Sequence, residues 1–564
     1  MNNYCQMSLL NLPNLKLNRK INSSDYDYKT NVVLNVDEEK KLKSYDLEKY
    51  IEDVKTLGLE ITWDLICQFV LKSGEINSFV SVANFGEMYE IGLAIQDKNQ
   101  KKKNGQYYTP DDVALVMSKW LDQYPEKNIC DVGCGTGKLI LKYLEYIGFN
   151  RAKDIISDGH IYLYDIDPVA LKICKTSIVV KYNIANPSVI HDVYCDFLDK
   201  AIVLPTDSKV ISNPPYVSIN QIEDYWEKTD ILLDTRELYS SFMEKVFKQA
   251  SSSVVITPFS FVSGNKFYSL RKTMCELGNG FIVSFDNVPG NIFYGRKQGI
   301  FNTNTANSVR AAITVFHKDN CVKGFKVSPL IRFKNEERGK LLQCDILEKT
   351  LSNKIQLIGK ENKTFAKIDN TLDDVFEAWI HKSRYKMSDI LSNKESGYFI
   401  DMPNTCRYYT TASHKKLTRT GSIELRFDDE DLFDFVYCFI NSSFAYWWWR
   451  IYDGGITYPM GLLNSMPIPI NLLTNEDKIF FKQTTSELIN IEKNNIVFKK
   501  NAGVNQENIK FPVEYRNRIN NKILSILGID KDYSVFKSVH ANMYFNWFKF
   551  AKYKIFLLRN KNDK

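Results

Sequence analysis

The sequence predicts an α/β protein whose central domain is a parallel sheet wound with helices. From Asp111 to Phe316, helical apolar stretches alternate with short apolar runs, the pattern of successive strand–helix units. Those runs end in a glycine turn or an acidic residue, at the edge where such sheets bind ligands. Size points to more than one domain: 564 residues exceed a single core and, at about 100–200 residues per domain, divide into about three. Hydrophobic residues at 44% and charged residues at 25% exclude a wholly disordered, collagen-like or coiled-coil chain.

Residues 1–43 are rich in Asn, Lys and Asp and read as a lead-in. Leu47, Ile51, Val54 and Leu57 then recur at helical spacing, followed by Trp63–Leu71 and Phe79–Ile95, so 1–100 is expected to hold a small N-terminal helical domain. Residues 101–320 form the sheet domain, and 321–564 a mixed α/β, aromatic-rich C-terminal domain. Eleven Cys without a CxxC pair fit neither a disulfide framework nor a zinc ribbon and suit a reducing compartment. No basic N-terminal stretch leads into an apolar one, and no run of about 18 uncharged apolar residues occurs, so a cytoplasmic chain without a membrane span is expected. Of the net charge of +7, residues 321–564 carry 38 Lys+Arg against 28 Asp+Glu (+10), leaving 36 against 39 (−3) for the rest. Such asymmetry marks either a nucleic-acid footprint or solvated Lys faces, and charge alone does not separate them.

Asn128–Val132 followed by Gly133-Cys134-Gly135-Thr136-Gly137 and the apolar stretch Leu139–Ile147 reads as strand, glycine turn, helix. Glycines there let the backbone approach a ligand closely, but the GxGxG spacing differs from the GxGxxG of dinucleotide folds and disfavours NAD. The next strand, Ile161–Tyr164, ends at Asp165-Ile166-Asp167-Pro168. A carboxylate at that edge either chelates ribose hydroxyls or caps the helix starting near Pro168. A third strand end, Val193–Cys195, offers Asp196 and Phe197, suited to an adenine's amino group and face. Three acids at three successive strand ends point to an adenosine-containing ligand.

After Lys209–Ser212 comes Asn213-Pro214-Pro215-Tyr216. Two prolines stiffen the backbone and remove amide donors, leaving the Pro214 carbonyl to accept a hydrogen bond; the Asn213 carboxamide supplies a second acceptor. Two acceptors on one amino group draw its lone pair out of conjugation with the ring and raise its nucleophilicity, and Tyr216 offers a face for stacking. The alternative is a plain turn. Placed after a fourth strand and the three acids, the tetrapeptide suits methylation of an exocyclic or amide nitrogen.

With these elements the chain resembles the S-adenosylmethionine-dependent methyltransferases, specifically the gamma-type DNA adenine-N6 methyltransferases of restriction–modification systems. The resemblance covers about Phe85–Lys318 and includes Phe85–Glu90 and Gly105-Gln106-Tyr107-Tyr108-Thr109-Pro110, which precede the glycine turn in the gamma order. It implies a Rossmann-like methyltransferase sheet followed by a target recognition domain. It also implies an S-adenosyl-L-methionine site built from Tyr108, Thr109, Asp131, Gly133, Gly135, Asp165, Ile166, Asp196, Phe197 and Asn213. Asn213, Pro214, Pro215 and Tyr216 would hold a target adenine flipped from double-stranded DNA, with no metal. Asn291-Ile292-Phe293 before the strand-like Ala311–Phe316 looks like the second aromatic contact to that base. Phe293 is the choice; the unusually long polar stretch Tyr294–Arg310 before that strand makes Tyr294 the competitor, and a core aromatic is the remaining alternative.

Residues 381–420 hold eight basic and three acidic residues interleaved with tyrosines, a mixture suited to phosphate and base-edge contacts. Arg407, Lys415, Lys416 and Arg419 are the DNA-binding candidates; a solvated loop is the alternative. The Trp447-Trp448-Trp449 run reads as core rather than as a stacking platform. Rival functions are methylation of RNA bases or protein glutamine, and a DNA-binding subunit with an inactive methyltransferase fold. No nuclease arrangement is visible, so a cognate endonuclease is expected on a separate chain.

Overall fold

The computed structural model describes residues 109–293, 309–394, 397–406, 408–501 and 504–540. The expected N-terminal helical domain, the segments Phe85–Glu90 and Gly105–Tyr108, and the candidates Tyr108, Tyr294 and Arg407 lie outside the described residues. The chain divides into two compact units. The first runs to Phe325 and includes Leu342–Ile346 and Leu357–Lys363; the second comprises Lys326–Leu341, Leu347–Gln356 and the chain from Thr364.

In the first unit a helix, Asp111–Leu121 (α1), opens after Pro110, with Asp111 and Asp112 in its first turn where the helix dipole favours acids. Val113, Val116, Met117, Trp120 and Leu121 recur at helical spacing and are buried. Then follow Asn128–Val132 (β1), Lys138–Ile147 (α2), Phe149–Ser157 (α3), Ile161–Asp165 (β2), Pro168–Tyr182 (α4), Ile190–Tyr194 (β3) and Ser208–Ser212 (β4). After a long connection come Asp230–Thr235 (α5), Leu238–Gln249 (α6), Ser252–Pro258 (β5), Tyr268–Leu277 (α7), Gly278–Phe285 (β6) and Ala311–Lys318 (β7). The sheet order within this unit is β3-β2-β1-β4-β5-β7-β6; the next strand in the chain, Gly324–Ile331 (β8), runs across the boundary into the second unit.

Strands β1 to β5 pair in parallel, whereas β7 runs antiparallel to both β5 and β6. The parallel sheet expected from the sequence is present in β1 to β5, and β7 is an antiparallel addition beside it. The central strands are apolar on both faces, with Val254, Val255 and Ile256 of β5 at 0–1% exposure, as a sheet covered by helices requires. The methyltransferase-type α/β sheet that the sequence leads one to expect is thus present.

The second unit is built on a helical core. Glu430–Ile440 (α8), Ser443–Tyr452 (α9) and Asn475–Glu492 (α10) bring together Phe435, Tyr437, Phe439, Phe444, Trp447, Trp449, Phe481 and Leu488, all at 0–2% exposure. Trp447, Trp448 and Trp449 are core, as expected, and the indole N–H groups of Trp448 and Trp449 donate to the Leu462 and Thr457 carbonyls at 2.9 Å. Small antiparallel pairs complete the unit, among them Tyr398–Pro403 (β9) with Ser422–Phe427 (β10) and the hairpin of Ile496–Asn501 (β11) with Val504–Ile509 (β12). No helix among the described residues is long and apolar enough to cross a membrane.

Candidate active site

The strand order turns back at β1, which has β2 on one side and β4 on the other, so a crevice opens beyond the carboxyl ends of β1 and β4. Val132 and Ser212 are register partners, and Ser212 Oγ donates to the Val132 carbonyl at 2.6 Å. The glycine turn and Asn213 consequently leave the sheet side by side. Gly133, Gly135 and Gly137 all have positive φ, at 70°, 52° and 91°, a region that L side chains rarely adopt. At Gly137 space is a second constraint, because a Cβ would lie 2.5 Å from Cys174 Sγ; at Gly135 it would meet nothing within 4 Å among the described residues. The turn is packed on its helix side and open on its crevice side.

Asp131, the fourth residue of β1, is fully buried. Its Oδ2 accepts from the Ile140 amide at 3.1 Å, while Oδ1 has no hydrogen-bond partner among the described residues. Burial, reinforced by the charge of Asp165 and opposed by the Ile140 amide, raises its pKa to about 8. The unfolded chain then holds fewer protons here than the folded one between about pH 4 and 8, so this group's contribution to stability is complete at low pH and is lost as pH rises through about 8. Asp131→Asn is expected to flatten the fall of the ligand-free thermal midpoint over that window. Parallel pH profiles for wild type and variant would contradict it.

Asp165 ends β2. Its Oδ2 accepts from the Gly135 amide at 2.6 Å and its Oδ1 from the Asp167 amide at 2.8 Å; burial pushes its pKa upward against those two amides. Asp167 Oδ1 accepts from the Ala170 amide at 3.1 Å. The two readings of this acidic pair therefore separate: Asp167 caps α4, and Asp165 is tied to the glycine turn. Ile166 between them is 65% exposed. Asp196 follows β3 with Oδ1 accepting from the Leu198 amide at 3.0 Å. Phe197 differs from expectation: at 3% exposure its ring lies in the core, touching Tyr164 and Phe242 with Lys245 Nζ 4.9 Å over its face. It supports the strand end rather than presenting an open face.

Asn213 Nδ2 donates to Thr109 Oγ1 at 3.0 Å, joining residues 104 positions apart. Pro214 is buried, and Tyr216 anchors its hydroxyl on the Ile256 carbonyl at 3.1 Å. Phe293, at 2% exposure, meets Tyr216 edge to face with ring centroids 5.9 Å apart and planes at 65°. The two aromatics are brought together, but in this arrangement they touch each other instead of standing parallel and apart. The structure also brings in residues that sequence reasoning missed. Trp226 Nε1 and the Tyr225 hydroxyl donate to Asp196 Oδ2 at 2.7 and 3.1 Å, and Lys245 Nζ donates to the Phe197 and Asp199 carbonyls at 2.7 and 2.6 Å. These are tertiary contacts across 29 or more positions in sequence, and no local pattern announces them.

In the second unit the candidates Lys415, Lys416 and Arg419 lie in the connection between β9 and β10. Asp401 and Glu492 hold it from beneath: Ser413 Oγ donates to Glu492 at 2.5 Å, His414 Nδ1 lies 2.7 Å from the same carboxylate, and the Leu417 amide donates to Asp401 Oδ2 at 3.1 Å. Arg419 is corrected as a DNA-contacting candidate. Its side chain is 3% exposed and pairs at 2.9 Å with Asp401, itself 0% exposed, so the guanidinium braces the loop. Lys415 is exposed; Lys416 is 70% exposed and pairs with Glu424 at 2.5 Å.

This α/β sheet, with a glycine turn and an Asn-Pro-Pro-Tyr segment at its switch point, defines a methylase class. Residues 81–377 match the N-6 DNA Methylase family model, and the chain belongs to that family. It is 26% identical over 268 residues to the Type II methyltransferase M.PstI of Providencia stuartii, covering 42% of this chain and 52% of that protein. It is 25% identical over 171 residues to the methylase subunit of the Type I restriction enzyme MpnII of Mycoplasma pneumoniae, covering 28% of this chain and 29% of that one. The matched segment thus spans about half the length of the first relative and less than a third of the second. Among solved structures, the ATP-dependent Type ISP restriction-modification enzyme LlaBIII bound to DNA aligns at TM-score 0.42 and 11% identity over 87% of this chain and 45% of that one, a likeness too distant to add to the family match.

Proposed function

We propose that the protein is a site-specific DNA methyltransferase that transfers a methyl group from S-adenosyl-L-methionine to N6 of an adenine flipped out of double-stranded DNA, on the modification side of a restriction–modification system. The observation that carries this reading is the meeting of Thr109, the glycine turn and Asn213-Pro214-Pro215-Tyr216 at one switch point, in a chain of the N-6 DNA methylase family.

The cofactor fits the residues present. Asp131 Oδ1 is a buried acceptor without a partner among the described residues, suited to a cationic methionine moiety; Gly135 leaves the crevice open; and Asp165, exposed Ile166 and Asp196 follow along the strand ends. S-adenosylmethionine, when bound, supplies an electrophilic methyl group. The chain's own contribution is to orient and activate the nucleophile. With Nδ2 directed to Thr109 Oγ1, the Asn213 carboxamide oxygen is its acceptor, and the Pro214 carbonyl is a second. Both accept from the target amino group, so its nitrogen lone pair is drawn toward attack. Tyr216 and Phe293 would take the base on a face, which requires the two rings to part from their present edge-on contact. Flipping costs a few kcal/mol, and stacking on aromatic faces offsets part of it.

In the second unit, Lys415 and Lys416 on the braced loop are proposed to contact DNA phosphates. The test is transfer of tritiated methyl from S-adenosylmethionine in parallel reactions with unmethylated duplex DNA, structured RNA and protein. Label on duplex DNA is expected; label confined to RNA or protein would overturn the assignment.

A further inference from the structure

The segment between the catalytic tetrapeptide and α5 reaches back to the end of β3. Its start is tied by Ile219 N donating to the Arg236 carbonyl at 2.7 Å and by Leu238 N donating to Val217 at 2.9 Å. Its end is tied by Thr229 Oγ1 donating to Glu244 at 2.6 Å. Between these ties Trp226 bridges to Asp199, and the Lys200 amide donates to the Tyr225 carbonyl at 3.2 Å. The segment therefore lies fixed against the 196–200 turn, which Lys245 grips from the other side.

What it delivers there is a pair of donors to one oxygen. Indole Nε1 is donor only, and an ionised carboxylate has about four acceptor positions. Leu198 N takes one on Oδ1, while Trp226 Nε1 and the Tyr225 hydroxyl take two on Oδ2. Among the described residues one acceptor direction remains, on Oδ1, and the carboxylate cannot rotate to offer another without breaking a 2.7 Å bond to Trp226. Asp196 is half-buried, so that direction is reachable. Phe197, with its ring in the core, supplies no competing reader of a base at this strand end.

We infer that Trp226, with Tyr225, is a positioning residue for cofactor recognition: it locks Asp196 so that a single oxygen reads the exocyclic amino group of the cofactor's adenine. The inference rests on the proposed cofactor site and adds residues from the segment that follows the catalytic tetrapeptide. A site built around one acceptor discriminates strongly against a ligand presenting another acceptor there, because two lone pairs then face each other.

The experiment is calorimetric binding to the full-length protein of two probes, S-adenosylhomocysteine and S-inosylhomocysteine, whose base carries a carbonyl in place of the amino group. Wild type is expected to prefer the adenosyl compound by about 100-fold or more. Trp226→Phe, which keeps an aromatic ring and removes the donor, is expected to weaken S-adenosylhomocysteine by about tenfold and to shrink the preference by a similar factor. S-inosylhomocysteine affinity should stay nearly constant, and Tyr225→Phe should show the same pattern more weakly. A purely structural role would lower both affinities alike and leave the ratio intact, overturning the inference. Tighter binding of both compounds by Trp226→Phe would show that the indole obstructs the site, and would overturn it equally. Wild type that binds neither compound would remove the cofactor-site reading, a failure distinct from an unchanged ratio.

Discussion

Asn213→Ala is expected to lower methyl transfer at saturating cofactor and DNA by about 100-fold to 1,000-fold, the size of the loss when one preorganised polar contact to a transition state is removed. Alanine deletes the carboxamide oxygen that would accept from the target amine and the Nδ2 that donates to Thr109 at 3.0 Å. It leaves untouched the Gly135 amide bond to Asp165 and the Ile140 amide bond to Asp131. Affinity for S-adenosylhomocysteine should therefore fall far less than turnover does, because Asn213 is only one of the residues expected to line that site. Thr109→Val, which removes only the hydroxyl, should cost less, because the carboxamide survives and loses one tether. Single-turnover kinetics beside calorimetric titration separate the two effects. Wild-type turnover by Asn213→Ala would remove the tetrapeptide from the mechanism.

Arg419→Ala is expected to cost about 3–5 kcal/mol of stability, since it strands the Asp401 carboxylate in a buried site. Arg419 and Asp401 are 3% and 0% exposed and 2.9 Å apart, and Asp401 also receives the Leu417 amide. Removing the cation undoes the brace beneath the loop that presents Lys415 and Lys416. The double variant Arg419→Met, Asp401→Leu, which removes both charges, should recover much of the loss. Lys415→Ala is expected to leave the thermal midpoint in place while weakening DNA binding and lowering its salt dependence by about one counterion. Denaturant unfolding together with salt-dependent DNA titration distinguishes the roles. Wild-type stability of Arg419→Ala would contradict the brace.

The contrast between these residues separates what local sequence encodes from what only tertiary packing decides. The strand, glycine turn and helix around Asp131–Gly137 are legible in the sequence because backbone sterics force glycine where φ is positive, and that requirement is local. Strand ends at Asp165, Asp196 and Asn213 are legible for a similar reason: short apolar runs stop where the sheet stops. The Trp447–Trp449 run is legible as core because three adjacent indoles on one helix spread over about 200° of its circumference, too wide for a single exposed stacking face. Arg419 misleads a sequence reading because a charged residue announces its charge and not its partner; Asp401 lies 18 positions away and meets it only once β9 and β10 pair. Phe197 misleads because an aromatic beside an acid fits a base-stacking pattern whether its ring faces crevice or core, and packing against Tyr164 and Phe242 decides that. Trp226 gives no local signal because its donor bond to Asp196 depends on a connection of irregular backbone. The antiparallel course of β7 is not revealed by apolar runs, which mark where a strand lies and not its direction.

The most direct test of the central claim is nucleoside analysis of unmethylated bacterial genomic DNA after incubation with the purified protein and labelled S-adenosylmethionine, with single-molecule sequencing to locate the modified bases. The expected result is label in N6-methyladenine, recurring within one sequence context and absent with Asn213→Ala. Label on cytosine, or no label on DNA while cofactor binding is intact, would contradict the account.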